Sequence, residues 1–139
     1  MNSFKNARTF FHNCESAQGW EACKEFVADN ASFNAQSEPF AEVTAVKDYV
    51  DSMAALGTIT LEGCSYVMNA SAYDEETSTA LFFATFIGTH NGEGGPVPPT
   101  NKTTKSHYVF ALKMNSDGKV ESMTKIWNSS WAFRELGWG

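Results

Sequence analysis

Apolar positions recur every three or four residues in the first part of the chain and every two residues later on. Phe4, Ala7, Phe10, Phe11 and Cys14 fall on one stripe, which predicts a helix that Ser3 can cap. Trp20, Cys23, Phe26 and Val27 make a second stripe and predict a helix over 17–28. Residues 31–36, centred on Phe33, read as a short strand. Pro39 then opens a third predicted helix. Val43, Val46, Val50 and Met53 share its face, Tyr49 and Leu56 lie beside them, and Gly57 stands where a left-handed stop is expected.

After Gly57 the period shortens. Residues 58–72 alternate loosely, and Asp74, Glu75, Glu76, Thr77 and Ser78 make a charged turn. Residues 79–90 read as a strand that is apolar on both sides and therefore needs cover on both faces. Helices cover one face, and a second copy of the chain is the natural cover for the other, so a homodimer packed through the sheet is expected. The Gly- and Pro-rich stretch 91–101 is a long connection at the sheet end, placed to form a lip over a cavity mouth. Residues 129–139, with Trp131, Phe133, Leu136 and Trp138, form an aromatic tail that should dock on something apolar.

Between these two segments lies the strongest local signal. Two runs rich in β-branched and aromatic residues flank Asn115-Ser116-Asp117-Gly118, which predicts an antiparallel hairpin. Pairing Met114 with Lys119 sets Phe110 opposite Met123, Tyr108 opposite Lys125 and Ser106 opposite Trp127. One face then carries Tyr108, Phe110, Leu112, Met114, Met123, Lys125 and Trp127, and the other His107, Val109, Ala111, Lys113, Val120, Ser122, Thr124 and Ile126. The first face is large and aromatic, so helices should cover it. A lysine, a phenol and a serine hydroxyl within it read as the few polar groups of a lined cavity. A register slip of one residue would turn all of them outward.

Composition narrows the partners. With 139 residues, 42% of them hydrophobic and 14% aromatic, the chain suits one folded domain with a real core. Its formal charge of -6 would repel a phosphate backbone, so nucleic acid is not an expected partner. Cys14, Cys23 and Cys64 share no metal-like or redox spacing and read as reduced, mostly buried thiols. No signal-peptide core opens the sequence, and the longest apolar run, 80–88, is too short to span a bilayer, so a cytoplasmic protein without a membrane partner is expected. Four Asn-x-Ser/Thr sites, at Asn30, Asn69, Asn101 and Asn128, read as chance matches. His90 and His107 have no metal-like partners, Ser129 and Ser130 no triad partners, and there is no phosphate loop, so no cofactor or metal is expected.

Helices first, then an antiparallel sheet that closes on them, is an α+β arrangement. Gly88-Thr89-His90, the loop ending Pro98-Pro99-Thr100-Asn101-Lys102, and Asp117-Gly118-Lys119-Val120 leading to Ile126-Trp127-Asn128 resemble the pattern of the SnoaL-like polyketide cyclases, in the nuclear transport factor 2-like superfamily. The resemblance implies a cystatin-like, cone-shaped α+β barrel with a deep apolar pocket, usually dimeric. It also implies a carboxylate on the last strand acting as acid or base. Lys125 stands at that position here, and Asn128 stands where an acidic residue often follows the aromatic.

Lys125 is therefore the candidate for chemistry. An ammonium buried among Phe110, Met123 and Trp127 would lose its proton more easily and could act as general base or carbonyl nucleophile, with the Tyr108 hydroxyl donating to an oxyanion. Against this stands a Lys125 that reaches the pocket mouth and pairs with a carboxylate, or anchors an acidic ligand. Phe33, Tyr49, Phe83, His90, Phe110, Met123 and Trp127 are the candidate pocket walls and ligand contacts. Two main functions are expected: a binder of a small apolar molecule that catalyses proton-transfer cyclisation or isomerisation, or a binding module without turnover. A third is a structural dimer whose cavity is filled by its own rings. Carboxylates reaching the pocket from other strands would favour the enzyme, and a salt-bridged Lys125 in a sealed cavity the binder.

Overall fold

The computed structural model describes residues 2–139. The first helical stripe folds as α1 (Ser3–Glu15), and its cap is Asn2 rather than Ser3, the Asn2 side chain accepting from the Lys5 N–H at 2.9 Å. The second stripe yields only α2 (Trp20–Cys23) and a 3-10 turn at Lys24–Phe26. Val27 leaves the helix because it begins β1 (Val27–Ala35), whose backbone pairs with the last strand. Pro39 sits in a 3-10 turn at Glu38–Phe40, and the third helix, α3 (Val46–Ala55), starts later than expected and runs into a π turn at Leu56–Thr60. Gly57 is not left-handed; it is needed because a Cβ there would come 2.5 Å from the Cβ of Ala17.

The second half is a meander of β2 (Ser65–Asp74), β3 (Thr79–Thr89), β4 (Thr103–Met114) and β5 (Val120–Trp127). The strand order is β1-β5-β4-β3-β2, and β1 runs parallel to β5 while the other pairs are antiparallel. The protein is thus α+β, with an open mixed sheet instead of an all-antiparallel one that closes. Phe10 and Phe11 from α1 and Tyr49, Val50 and Met53 from α3 are buried with Phe82, Tyr108, Phe110, Leu112 and Met123 of the sheet. Residues 129–139 are a helix, α4 (Ser129–Leu136), followed by Gly137 at φ 78°, because the Asn128 side chain accepts from the Trp131 N–H and caps it. No helix among the described residues is long and apolar enough to cross a membrane.

The hairpin closes on Asn115 rather than on Met114. The Asn115 N–H donates to the Lys119 carbonyl at 2.8 Å, the Asn115 side chain accepts from Asp117 and Lys119, and Gly118 takes φ 72°. Such a turn demands a bulge, which lies between Lys113 and Met114, and the strands beyond it shift by two residues from the simplest count. Tyr108 pairs with Trp127, Phe110 with Lys125 and Leu112 with Met123. A shift of two preserves the faces, so Tyr108, Phe110, Leu112, Met114, Met123 and Lys125 are buried. Val120 is the exception: next to the bulge it turns inward and is fully buried, not outward as alternation predicts.

Candidate functional site

Glu15 is the residue that organises the interior. It lies four residues beyond Phe11 on α1, so its side chain leaves the helix on the core side and is only 2% exposed. Its Oε2 accepts from the Tyr49 hydroxyl of α3 at 2.9 Å and lies 3.6 Å from the Cys14 thiol. The Tyr49 hydroxyl in turn accepts from the Lys125 ammonium of β5 at 2.9 Å. One phenol therefore joins a buried acid to a buried amine, and among the described residues no carboxylate touches Lys125 directly.

Rings close round the amine. Nζ lies 4.6 Å from the centroid of Phe40, 4.8 Å from Tyr49, 4.9 Å from Trp127, 5.4 Å from Tyr108 and 5.8 Å from Phe110, distances at which a cation is attracted to the ring faces. Beside it is a hollow lined by Glu15, Phe40, Met53, Leu56, Phe86, Tyr108, Lys125 and Trp127, with free volume of about 10 Å³. That is room for about one water molecule. Trp127 and Lys125 also border a second, open cleft of about 600 Å³ with Asn34, Ser37, Thr124 and Asn128 on its walls.

Burial sets the protonation of these groups. It raises the Glu15 carboxyl above its ordinary range, and the Lys125 charge and the Tyr49 hydroxyl pull it part of the way back. Burial lowers the Lys125 ammonium, and the Glu15 charge offsets part of that. Tyr49 and Tyr108 are pushed upward by burial and by the neighbouring Glu15, so both keep their protons. The Tyr108 hydroxyl, at the edge of the hollow, has no partner in good hydrogen-bond geometry, and the Glu15 carboxylate lies near enough to be the group it turns to. Acid and amine are thus drawn toward their neutral forms, with a hydroxyl between them that can pass the proton.

The expected residues divide into three groups. Lys125, Tyr108 and Trp127 line the hollow, and Tyr49 and Phe110 close round the amine. Phe33 and Met123 are buried but do not line the hollow, Phe33 stacking on Tyr49 at 4.8 Å and Met123 pairing with Leu112. Phe83 and His90 lie elsewhere. Phe83 alternates with the inward Phe82 and Ala84, so it points to the outer face, 40% exposed, and meets His107 there. His90 is fully buried at the sheet end, where its Nδ1 accepts from the Trp138 indole at 2.9 Å and from the Thr100 N–H at 3.3 Å. Since both partners are donors only, the ring proton sits on Nε2, which has no partner and packs against Gly95.

Sequence reasoning missed Glu15 and Phe40. The signal for Glu15 was its place in the stripe of α1, one turn after Phe11; an acid so placed is either at the solvated rim or deliberately buried. The carboxylate sought on a neighbouring strand comes instead from a helix.

No protein-family model matches the chain, and no curated protein matches it in sequence. Solved structures do match. A SnoaL-like polyketide cyclase candidate from Jannaschia sp. CCS1 is 14% identical, with 96% of this chain and 90% of that chain covered, at a TM-score of 0.79. IdmH, a polyketide cyclase candidate from Streptomyces antibioticus, is 13% identical over 99% of both chains at 0.80. A nuclear transport factor 2-like protein from Burkholderia thailandensis is 12% identical over 98% of both chains at 0.75. The chain has the SnoaL-like fold. At these identities the likeness establishes architecture, while the chemistry must be argued from the side chains.

Proposed function

We propose that the interior of this SnoaL-like fold binds a small, largely apolar molecule and that Lys125, Tyr49 and Glu15 move a proton to and from it, in a cofactor-free cyclisation or isomerisation. The observation that carries this reading is the single hydroxyl linking a buried acid to a buried amine on the wall of an aromatic hollow. The family resemblance calls for a carboxylate on the last strand. Here the acid comes from α1, and an amine takes the strand position. Ligand entry requires a ring to yield, and half-buried Trp127, which borders both the hollow and the open cleft, is the ring in position to do so.

A non-catalytic binding module is the second reading, favoured by how completely the rings already fill the interior. Small cyclic ketones separate the two. The catalytic reading predicts that a ketone which raises the melting temperature also exchanges its α-hydrogens for deuterium. It predicts that Lys125→Met slows this exchange about 100-fold, as loss of a general base does. Binding without exchange supports the module, and absence of any binding removes both.

We further propose that the chain pairs with a second copy through the outer sheet face. Leu81, Phe83 and Ile126 are exposed there, Ile126 by 63%, although they belong to strands. Sedimentation of the protein against an Ile126→Asp variant tests this, with a dimer expected only for the parent chain.

A further inference from the structure

An ammonium carries three N–H donors. Among the described residues Lys125 has one acceptor, the Tyr49 hydroxyl, and every other neighbour of the nitrogen named above is the face of a ring. For a three-donor ion this is a poor solvent. It suits a cation with a single N–H and a charge spread onto carbon, for which one acceptor is enough and ring faces are good company. A protonated imine has that form. Two further features agree. The Tyr108 hydroxyl is buried on the rim of the hollow with Glu15 near it but no partner in good hydrogen-bond geometry, so it can turn to donate to a carbonyl oxygen. Glu15 can receive the amine's proton through Tyr49 without a water molecule.

We propose that Lys125 forms a Schiff base with a small aldehyde or ketone that enters from the open cleft as Trp127 yields and widens the hollow, an inference that rests on reading the hollow as a ligand site. The Lys125 ammonium passes a proton to Tyr49 as Tyr49 passes its own to Glu15, giving a neutral amine and a neutral acid. The amine lone pair attacks the carbonyl carbon. The C–N bond forms as the C=O π bond breaks onto oxygen, with Tyr108 donating a hydrogen bond to that oxygen. Transfer of an N–H proton to the oxygen side gives the neutral carbinolamine. The proton held by Glu15 then returns to the hydroxyl, the C–O bond breaks, water departs, and the nitrogen lone pair forms the C=N bond. The net change converts ammonium and carbonyl into protonated imine and water, with Glu15 again a carboxylate opposite the cation and no oxidation or reduction.

The test treats the folded full chain with propanal and cyanoborohydride near neutral pH, followed by peptide mapping. Propylation of Lys125 is expected, with Tyr49→Phe and Glu15→Gln slowing it about 100-fold, the scale of a lost proton relay. Exposed Lys24 and Lys47 serve as internal controls whose labelling these variants leave unchanged. Labelled exposed lysines beside an unlabelled Lys125 overturn the proposal. Propionamide, which cannot form the imine, separates that failure from failure of the ligand site. If it perturbs Trp127 fluorescence while Lys125 stays unlabelled, the site stands and the Schiff base falls; if neither is seen, both fall.

Discussion

Glu15 with Tyr49 and Lys125, and His90 with Trp138 and Thr100, are both buried polar clusters with more donors than acceptors, and they differ in the space beside them. At His90 two donors converge on one ring nitrogen, and Gly95 leaves no space beside the ring. The work of the ring is to tie residues 91–101 to the C-terminal aromatic end. At Lys125 donors outnumber acceptors, two ionisable groups are pushed toward neutrality, and a hollow adjoins them. A polar cluster without space makes a clasp, and one beside space makes a place where a proton and a ligand can move.

Removing Lys125 should strain this contrast most. Lys125→Met leaves Glu15 buried without the cation that reaches it through Tyr49, and stranding a buried charge in this way costs about 3–5 kcal/mol. The loss should depend on pH with a definite sign. Burial holds the folded Glu15 carboxyl above its unfolded value, and without Lys125 it rises further. The variant should thus be least impaired in acid, below the ordinary carboxylate range, and lose stability as pH rises through the raised folded value. Urea unfolding at several pH values checks both points. The Glu15→Gln, Lys125→Met double variant should lose less than the two single losses added together.

Tyr49→Phe comes next, at about 2–3 kcal/mol, because both charged partners lose the hydroxyl that serves them. His90→Asn should cost about 1–2 kcal/mol through loosened indole and loop bonds, while leaving deuterium exchange at the ligand site unchanged. The smallest effect belongs to the outer face. Ile126→Asp should shift the stability of the monomer by no more than about 0.5 kcal/mol, since the residue is exposed in the single chain, yet it should shift the sedimentation coefficient if the dimer forms there.

The inward face of the hairpin was legible because alternation survives an even shift of register. Tyr108, Phe110, Met123 and Lys125 were readable as one surface even though their cross-strand partners were not. Val120 escaped because a bulge reverses parity locally, and turn chemistry at Asn115 decides where that bulge falls. The parallel pairing of β1 with β5 escaped for a different reason: it joins segments far apart in the sequence, and no local pattern records it. Phe83 was misplaced because β3 is apolar on both faces, so composition does not say which ring is inside. Glu15 was the most consequential omission. Its charge marks it as a surface residue, while its helical position marks it as core, and only packing against Tyr49 resolves the conflict.

The central claim, an amine held in an aromatic interior and coupled through Tyr49 to a buried acid, is tested most directly by the titration of carbon-13-labelled lysine followed by NMR. The Lys125 Cε resonance should titrate well below those of the exposed lysines, and further below in Glu15→Gln, where the carboxylate that helps hold the proton is gone. A Lys125 resonance that titrates together with the exposed lysines, and does not respond to Glu15→Gln, would contradict the account.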